Sequence, residues 1–260
     1  METYKDILDQ LFVYPVDFQY LSDTLLDKLT LKGLDIIPEL LERCRSWPSF
    51  VTSTDYGDEY NQSFNYRLSD VFVELGNKGY EIVPLLIGYL NDENESDAIR
   101  LAAAHSLLLL GEDVFIVENQ MSYLLWVLKT YSHERNYKDY LGIVTRIFGQ
   151  MGESPVIRLM EWMVSEDPHL RYLSMVGIVW TGDSSRISFP LINKLLRDEM
   201  AIVRYHAVSA CYYIMPNDEE IISTLKEIVR KNEKIVGYND VYRTKEALER
   251  ISSKMDGILL

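Results

Sequence analysis

The chain has 260 residues, 47% of them hydrophobic and 25% charged. This is an ordinary globular composition, and it excludes a disordered protein, a collagen and a small disulfide scaffold. The 26 Lys and Arg stand against 40 Asp and Glu, a net charge of −14, which repels a phosphate backbone at long range and argues against non-specific nucleic-acid binding.

The charge is lopsided. Residues 1–130 carry 22 acids and 9 bases, net −13, whereas residues 131–260 carry 18 and 17, net −1. Such asymmetry points either to a partner surface or to a plain solubilising face. Cys44 and Cys211 lie far apart without metal-ligand spacing, which fits a reduced compartment and leaves one long-range disulfide as the other option. Residues 1–6 lack the basic and apolar regions of a signal peptide. The longest nearly apolar run, residues 101–110, is interrupted by His105 and Ser106 and is too short for a bilayer. A soluble, cytoplasmic protein that does not enter a membrane is expected.

From the N-terminus, Ile7, Leu8, Leu11 and Phe12, then Leu21, Leu25, Leu26 and Leu29, follow helical spacing. They predict a helical cap over residues 1–32. A recurring phrase comes next: Gly33-Leu-Asp-Ile-Ile-Pro38 and Gly79-Tyr-Glu-Ile-Val-Pro84 are nearly the same, and Ile187-Ser-Phe-Pro190 repeats the core. A proline in the first turn of a helix is tolerated because its missing N–H would have no helical acceptor, so each phrase opens a helix. Apolar residues at three- and four-residue spacing predict further helices of this class over 114–131, 155–164 and 219–231.

A second motif follows these helices. Ile99-Arg100 has Ala103 and Ala104 four and five positions on and Gly111 twelve on. The same register fits Leu170-Arg171, with Ser174, Met175 and Gly182, and Val203-Arg204, with Ala207, Val208 and Met215. The tails at Gly76, Gly152 and Ile251 place weaker copies at Phe64, Tyr140 and Asp240. The six starts recur about every 35 residues, a solenoid period. Positions 4, 7, 8 and 11 of the register fall on one stripe of about 100°. Helix, turn, helix is thus repeated six times over residues 33–252, with residues 253–260 as a tail. A helix pair of this length cannot bury its apolar face alone and must stack on its neighbours, which is also why the array needs a cap.

The phrase Asp-x-x-x-Val-Arg-x-x-Ala-Ala-x-Ala-Leu-Gly-x-Ile-Gly, best matched by residues 91–111, resembles HEAT repeats of the short, phycobilisome-lyase-like kind. The resemblance implies an all-α, right-handed α-α superhelix of about six helix pairs. It also implies an arginine ladder in which Arg100, Arg171 and Arg204 meet loop acids, here Asp92 or Asp97, Asp167 and Asp198. Leu141, Asn65 and Val241 replace the arginine in the weaker copies, so half of the repeats would lack this rung. Fold of this kind says nearly nothing about activity.

Catalytic patterns are poor: there is no Walker loop, GxGxxG, HExxH or GxSxG. His105, His133, His169 and His206 have no second metal ligand at helical spacing, so neither a metal nor a cofactor is expected. The more informative residues lie at register two, opposite the apolar stripe. They are Tyr66, Leu101, Gly142, Tyr172, Tyr205 and Tyr242, and registers six and nine add Asp70, His105, Arg146, Ser209, Tyr212, Glu246 and Glu249. In the HEAT-like family the second helices line the concave surface, so the resemblance implies a tyrosine-studded groove of mixed charge. Tyrosine offers large contact area at low entropic cost; the alternative is that these aromatics merely pack between neighbouring helices. Residues 46–63, with Asp55, Asp58 and Glu59, and residues 132–136 are predicted loops within the array. Loops of this kind are often functional, although the polar composition of the first fits a disordered excursion equally well.

These readings converge on a non-enzymatic protein-binding scaffold whose acidic N-terminal half and tyrosine groove hold a basic protein partner. Small acidic HEAT-like proteins serve in this way as inhibitors or immunity proteins against basic toxin enzymes. Two alternatives belong to other classes. One class of alkylpurine DNA glycosylases is similar to a HEAT-type array and needs a cationic channel with Trp and Asp. Trp180 and Asp70 are present here, with Arg67, Arg146, Arg243 and Arg250 as scattered cations. A bilin-lyase-like chaperone would instead stack its groove aromatics on a tetrapyrrole.

Overall fold

Both glycine–proline phrases fold into the same local structure. Gly33 and Gly79 adopt left-handed backbone angles, φ 59° and 83°, which glycine alone reaches without cost. A helix then begins at Ile37 or Val83 with its proline in the first turn. The computed structural model describes residues 6–8, 23–46, 64–131, 137–231 and 240–258. Among these every regular element is a helix, and no helix is long and apolar enough to cross a membrane. The chain divides into two units, Met1–Ile147 and Phe148–Leu260.

The first unit holds α1 (Asp23–Thr30), a 3-10 turn (Gly33–Ile36), α2 (Ile37–Ser46), α3 (Phe64–Asn77), α4 (Val83–Asn91), α5 (Asp97–Leu109), α6 (Val114–Glu118), α7 (Met121–Tyr131) and most of α8 (Tyr137–Gln150). Helix α1 packs on α3, α3 on α5, and α5 also meets α2, α4 and α6. The Nζ of Lys78, just past α3, donates to Asp27 Oδ1 at 2.8 Å and Thr30 Oγ1 at 2.7 Å, tying α1 to α3. The sequence predicts one helix over 114–131; the structure breaks it into α6 and α7. The chain turns at Asn119 and Gln120, whose N–H groups close on Phe115 and Val117, and the Gln120 side chain donates to Asn91 Oδ1 at the end of α4, 2.8 Å.

The second unit holds α9 (Glu153–Met163), α10 (Pro168–Ile178), a 3-10 segment (Val179–Ser188), α11 (Phe189–Leu195), α12 (Ala201–Ile214), α13 (Glu219–Lys231) and α14 (Asp240–Ile258). Helices α9, α11 and α13 are neighbours in that order, and so are α10, α12 and α14; α9 packs on α10, α11 on α12 and α13 on α14. Helix α14 takes in most of the expected tail. The 3-10 segment kinks at Gly182 (φ 55°, ψ −130°). It is held by Thr181, Ser185 and Ser188, whose hydroxyls donate back to carbonyls three residues earlier at 2.6–2.9 Å.

The apolar stripe explains why the second helix of each pair sits where it does. Leu68, Val71, Phe72 and Leu75 on α3 are all fully enclosed, as are Val144, Ile147 and Phe148 on α8. The equivalent positions of α10 (Ser174, Gly177, Ile178, Thr181) are buried as well, and across all six copies only Leu110, Ile214 and Leu248 keep partial exposure. Burying a Val, Leu, Ile or Phe side chain contributes about 1.5–3 kcal/mol.

The last position of the register has its own backbone logic. Gly111, Gly152 and Gly182 occupy register twelve in three copies and have positive φ, 78°, 71° and 55°, whereas Gly76 at the same register continues α3. Met215 occupies this register in α12 and has positive φ too, φ 50° and ψ 63°, the left-handed helical region. It is the only non-glycine residue with positive φ among the described residues. A side chain in that conformation costs about 1–2 kcal/mol.

Candidate functional site

In the second unit, α10 and α12 present neighbouring aromatic side chains. Asp167 caps α10 by accepting from the His169 N–H at 2.9 Å, and Pro168 starts the helix, so His169 and Tyr172 project one turn apart. The His169 ring meets Tyr172 edge-on at 4.8 Å between centroids. Tyr172 in turn stacks on His206 of α12 at 5.0 Å, and Tyr205 meets His206 edge-on at 5.3 Å. All four residues are half-buried. Burial depresses His206 to about 4, so it stacks as the neutral imidazole. Tyr172 thus both packs between neighbouring second helices and keeps a solvent edge, while His169 and His206, expected to stand isolated, belong to one cluster with it.

Further along α12, Tyr205, Ser209 and Tyr212 share one face, and Tyr212 reaches α14. The Arg250 guanidinium sits 4.3 Å over the Tyr212 ring. Tyr212, Met215, Glu246, Glu249, Arg250 and Ser253 line an open cleft of about 660 Å³. The register pattern therefore brings Tyr212, Glu246 and Glu249 together. It does not single out Met215 or Arg250. Arg250 is one turn beyond Glu246, and Met215 stands where four of the other five copies have glycine, so both signals are present in the sequence.

The loop before α12 is fixed by charge. Arg171 Nε and Nη2 donate to the two oxygens of Asp198 at 2.8 and 2.9 Å, and Nη1 donates to the carbonyls of Ser165 and Glu166. Asp198 also accepts from the Met200 N–H at 2.8 Å. Both side chains of this pair are more than nine-tenths buried. Of the expected ladder, the Arg171 rung reaches the loop of the following copy. Arg204 instead donates to the carbonyls of Asp198 and Glu199, and Asp167 is used as a cap.

The first unit departs further from expectation. His105 is 5% exposed and Leu101 fully enclosed, so neither faces a groove. The physical reason is that α5 is surrounded by α2, α3, α4 and α6 and its residues from Ile99 to Leu107 are buried all round. Burial, helped by the Arg146 charge, depresses His105 to about 4. Asp70 and Arg146 are half-buried, and Arg67 is enclosed. The side chains of Tyr66 and Tyr242 and the loop with Asp55, Asp58 and Glu59 lie outside the described residues. Trp180 is half exposed and belongs to the second unit, whereas Asp70 belongs to the first.

Arg100 makes no carboxylate rung of the kind Arg171 makes. Its Nε donates to the Leu90 carbonyl at 3.2 Å, and its guanidinium lies 3.6 Å over the Tyr123 ring. The Tyr123 hydroxyl donates to Asp97 Oδ1 at 2.9 Å, and the Tyr131 hydroxyl to Asp97 Oδ2 at 2.5 Å. Burial first, then the Asp97 charge, pushes the Tyr123 phenol well above its ordinary range. Removing either hydroxyl leaves a carboxylate oxygen short of a donor. Tyr123→Phe and Tyr131→Phe are each expected to lower the unfolding free energy by about 1.5–3 kcal/mol, read from urea denaturation followed by circular dichroism.

Just before α5, Glu95 accepts from the Arg45 guanidinium at two oxygens, at 3.1 Å from Nε. Burial opposes its charged form, but Arg45 and the Ser96 N–H outweigh it and hold the carboxyl below its ordinary value. Among the described residues no group of three or more His, Cys, Asp or Glu side chains could hold a metal ion. Cys44 and Cys211 are buried thiols, pushed up by that burial to about 12. No family model matches the chain, and no curated protein or solved structure matches it either.

Proposed function

We propose that the chain is a non-enzymatic, HEAT-like array of stacked helix pairs that binds a protein partner with a basic surface, in the manner of an inhibitor or immunity-type protein. The observation that carries this reading is the side-by-side packing of α10, α12 and α14, which leaves Tyr172, Tyr205 and Tyr212 half exposed on second helices. Amphipathic tyrosines, with one edge packed and one wet, are a common composition for interface anchors. The net charge of −14, nearly all of it in residues 1–130, favours a cationic partner and steers its approach.

The test is a binding measurement against the basic protein that copurifies with the chain. Its association rate is expected to fall by about tenfold or more between low and physiological salt. A triple variant of exposed or half-exposed acids in the first unit, Glu81→Gln, Glu93→Gln and Glu112→Gln, is expected to lower that rate and flatten the salt dependence. Binding indifferent to both salt and these substitutions would overturn the electrostatic part of the reading.

A further inference from the structure

The turns that follow α1, α3 and α5 form one edge of the first unit. The Tyr80 ring, in the turn after α3, lies over Gly33, where a Cβ atom would come within 2.6 Å of the ring Cε1. In the same way the Leu110 side chain, just past α5, fills the space beside Gly76 near the end of α3. The three turns are therefore held side by side, in that order.

This edge carries an apolar strip. Leu31 is 78% exposed, Tyr80 39%, Leu109 46% and Phe115 62%. Among the described residues of the first unit, Leu85 and Trp126 are the only other large hydrophobic side chains exposed to this degree, so the exposure is gathered on one edge rather than scattered singly. Phe115 is held there by design of the backbone: Asp113 caps α6 by accepting from the Phe115 N–H at 2.9 Å, while Val117 of the same turn is enclosed.

Acids border the strip. Residues 27–35, 74–82 and 109–115 hold six acids and three bases. Lys78 is taken up by Asp27 at 2.8 Å and Glu74 at 3.4 Å. Glu81, next to Tyr80, and Asp113, next to α6, are exposed, and Glu112 is half-exposed between Leu109 and Phe115. None of these three has a cation within ion-pair distance among the described residues.

We propose that this edge is the docking site for a helical segment of the basic protein partner, one that presents a single apolar stripe bordered by lysine or arginine. This deepens the scaffold reading and rests on it. Packed helices lie about 8–10 Å apart, so the strip from Leu31 to Phe115 spans roughly 20 Å, the length of a helix of about 13 residues. Such a helix brings apolar residues to one face at every third and fourth position, and covering the strip takes water off surface that the chain alone leaves wet. Charge selects the occupant: two copies of this edge would set acid against acid, whereas lysine or arginine flanking the stripe meets Glu81, Glu112 and Asp113.

The test uses the full chain and capped peptides of about 14 residues, built from alanine and lysine with leucine at every third and fourth position, titrated by calorimetry at physiological salt. The striped peptide is expected to bind with Kd of about 100 μM or tighter. The same residues in scrambled order keep the charge and disperse the stripe, and should bind about fivefold more weakly. Glutamate in place of lysine should cost about tenfold. The double variant Leu31→Ser/Phe115→Ser changes two largely exposed side chains, so its denaturation midpoint is expected to hold while the striped peptide weakens about tenfold. Ile157→Ser, at a position 53% exposed in the second unit, should leave that affinity unchanged.

The proposal is overturned if the striped peptide fails to bind at about 1 mM, if the scrambled peptide binds as well, or if Leu31→Ser/Phe115→Ser leaves affinity unchanged. A dimer of the chain that this double variant abolishes would also overturn it, since the strip would then belong to a second copy. A basic protein partner that binds with salt dependence yet ignores the double variant would remove the docking edge and leave the scaffold reading standing. Striped-peptide binding that depends on Leu31 and Phe115, with no basic protein copurifying, would support the edge and count against the scaffold reading.

Discussion

Asp198→Asn is expected to lower the unfolding free energy of the protein by about 3–5 kcal/mol, among the largest effects of any single polar substitution here. Arg171 and Asp198 are both nearly enclosed, with side chains 9% and 8% exposed, and their attraction offsets a desolvation cost of several kcal/mol for each ion. Removing the Asp198 charge leaves buried Arg171 with only the exposed Glu199 carboxylate, 3.6 Å from Nη2, which is too well solvated to replace it. The substitution also weakens the acceptor for the Met200 N–H, which fixes the start of α12. Arg171→Met, which removes the charge but fills the space, still strands Asp198; it is expected to cost less, because that carboxylate keeps the Met200 N–H and can take up a proton. Asp183→Asn serves as the exposed control: its pair with Arg186 has side chains 86% and 70% exposed, and the expected change is below about 0.5 kcal/mol. Urea denaturation of the three variants checks the order, and a loss below about 1 kcal/mol for Asp198→Asn would refute the account.

Acidification from pH 7 to about 4.5 is expected to destabilise the protein through two imidazoles, buried His105 and half-buried His206. His105 and His206 fall from 6.5 to about 4 in the folded chain. Between those values the unfolded chain binds protons that the folded chain refuses. Stability is therefore complete above pH 6.5 and declines as pH drops toward 4, by roughly 3 kcal/mol for each histidine over the whole window.

Arg146 opposes protonation of His105, and the rings nearest His206 are Tyr172 and Tyr205. Glu95 adds a separate loss at lower pH: its depressed carboxyl contributes stability above the ordinary glutamate value and loses it as pH falls through the folded one. Denaturation midpoints at several pH values should show the histidine component shrink in His206→Gln. An unchanged pH profile in that variant would exclude His206 as a source.

Much of the helical framework is legible from local chemistry. The six register starts fall on the six helices α3, α5, α8, α10, α12 and α14, because a mostly enclosed apolar stripe, followed in three copies by a glycine with positive φ, is a constraint a chain does not meet by accident. The Gly-x-x-x-x-Pro phrase marks α2 and α4 for the same reason. What escapes detection depends on neighbours. Nothing within 114–131 says that Gln120 will bond to Asn91 and interrupt the helix. Arg171 reaches an acid 27 residues later rather than the one beside it, a choice made by packing.

The face opposite the apolar stripe is legible only where that face is polar. Tyr205, Ser209 and Tyr212 on α12 meet the condition and stay half exposed. Leu101 and His105 sit on a helix whose sequence, Ile99 to Leu110, has almost no polar side at all, and a helix apolar all round is buried all round. The sign was the absence of a contrast, which a register drawn by analogy with neighbouring copies overlooks. Met215 is the converse case, since its departure from glycine at register twelve gains meaning only once Gly111, Gly152 and Gly182 are known to have positive φ there.

The enclosure of α5 also limits what the first unit can offer to the outside. A rod with no outward side is a spindle, and it carries no vocabulary of its own for choosing between visitors. Beside exposed side chains of neighbouring helices such as Phe115 and Trp126, discrimination in that half falls to the connectors that enter and leave the spindle, where Asp92, Glu93 and Asp113 stand exposed and half-exposed Glu112 lies beside them. Those short stretches can change their lettering without disturbing the axle they hang from.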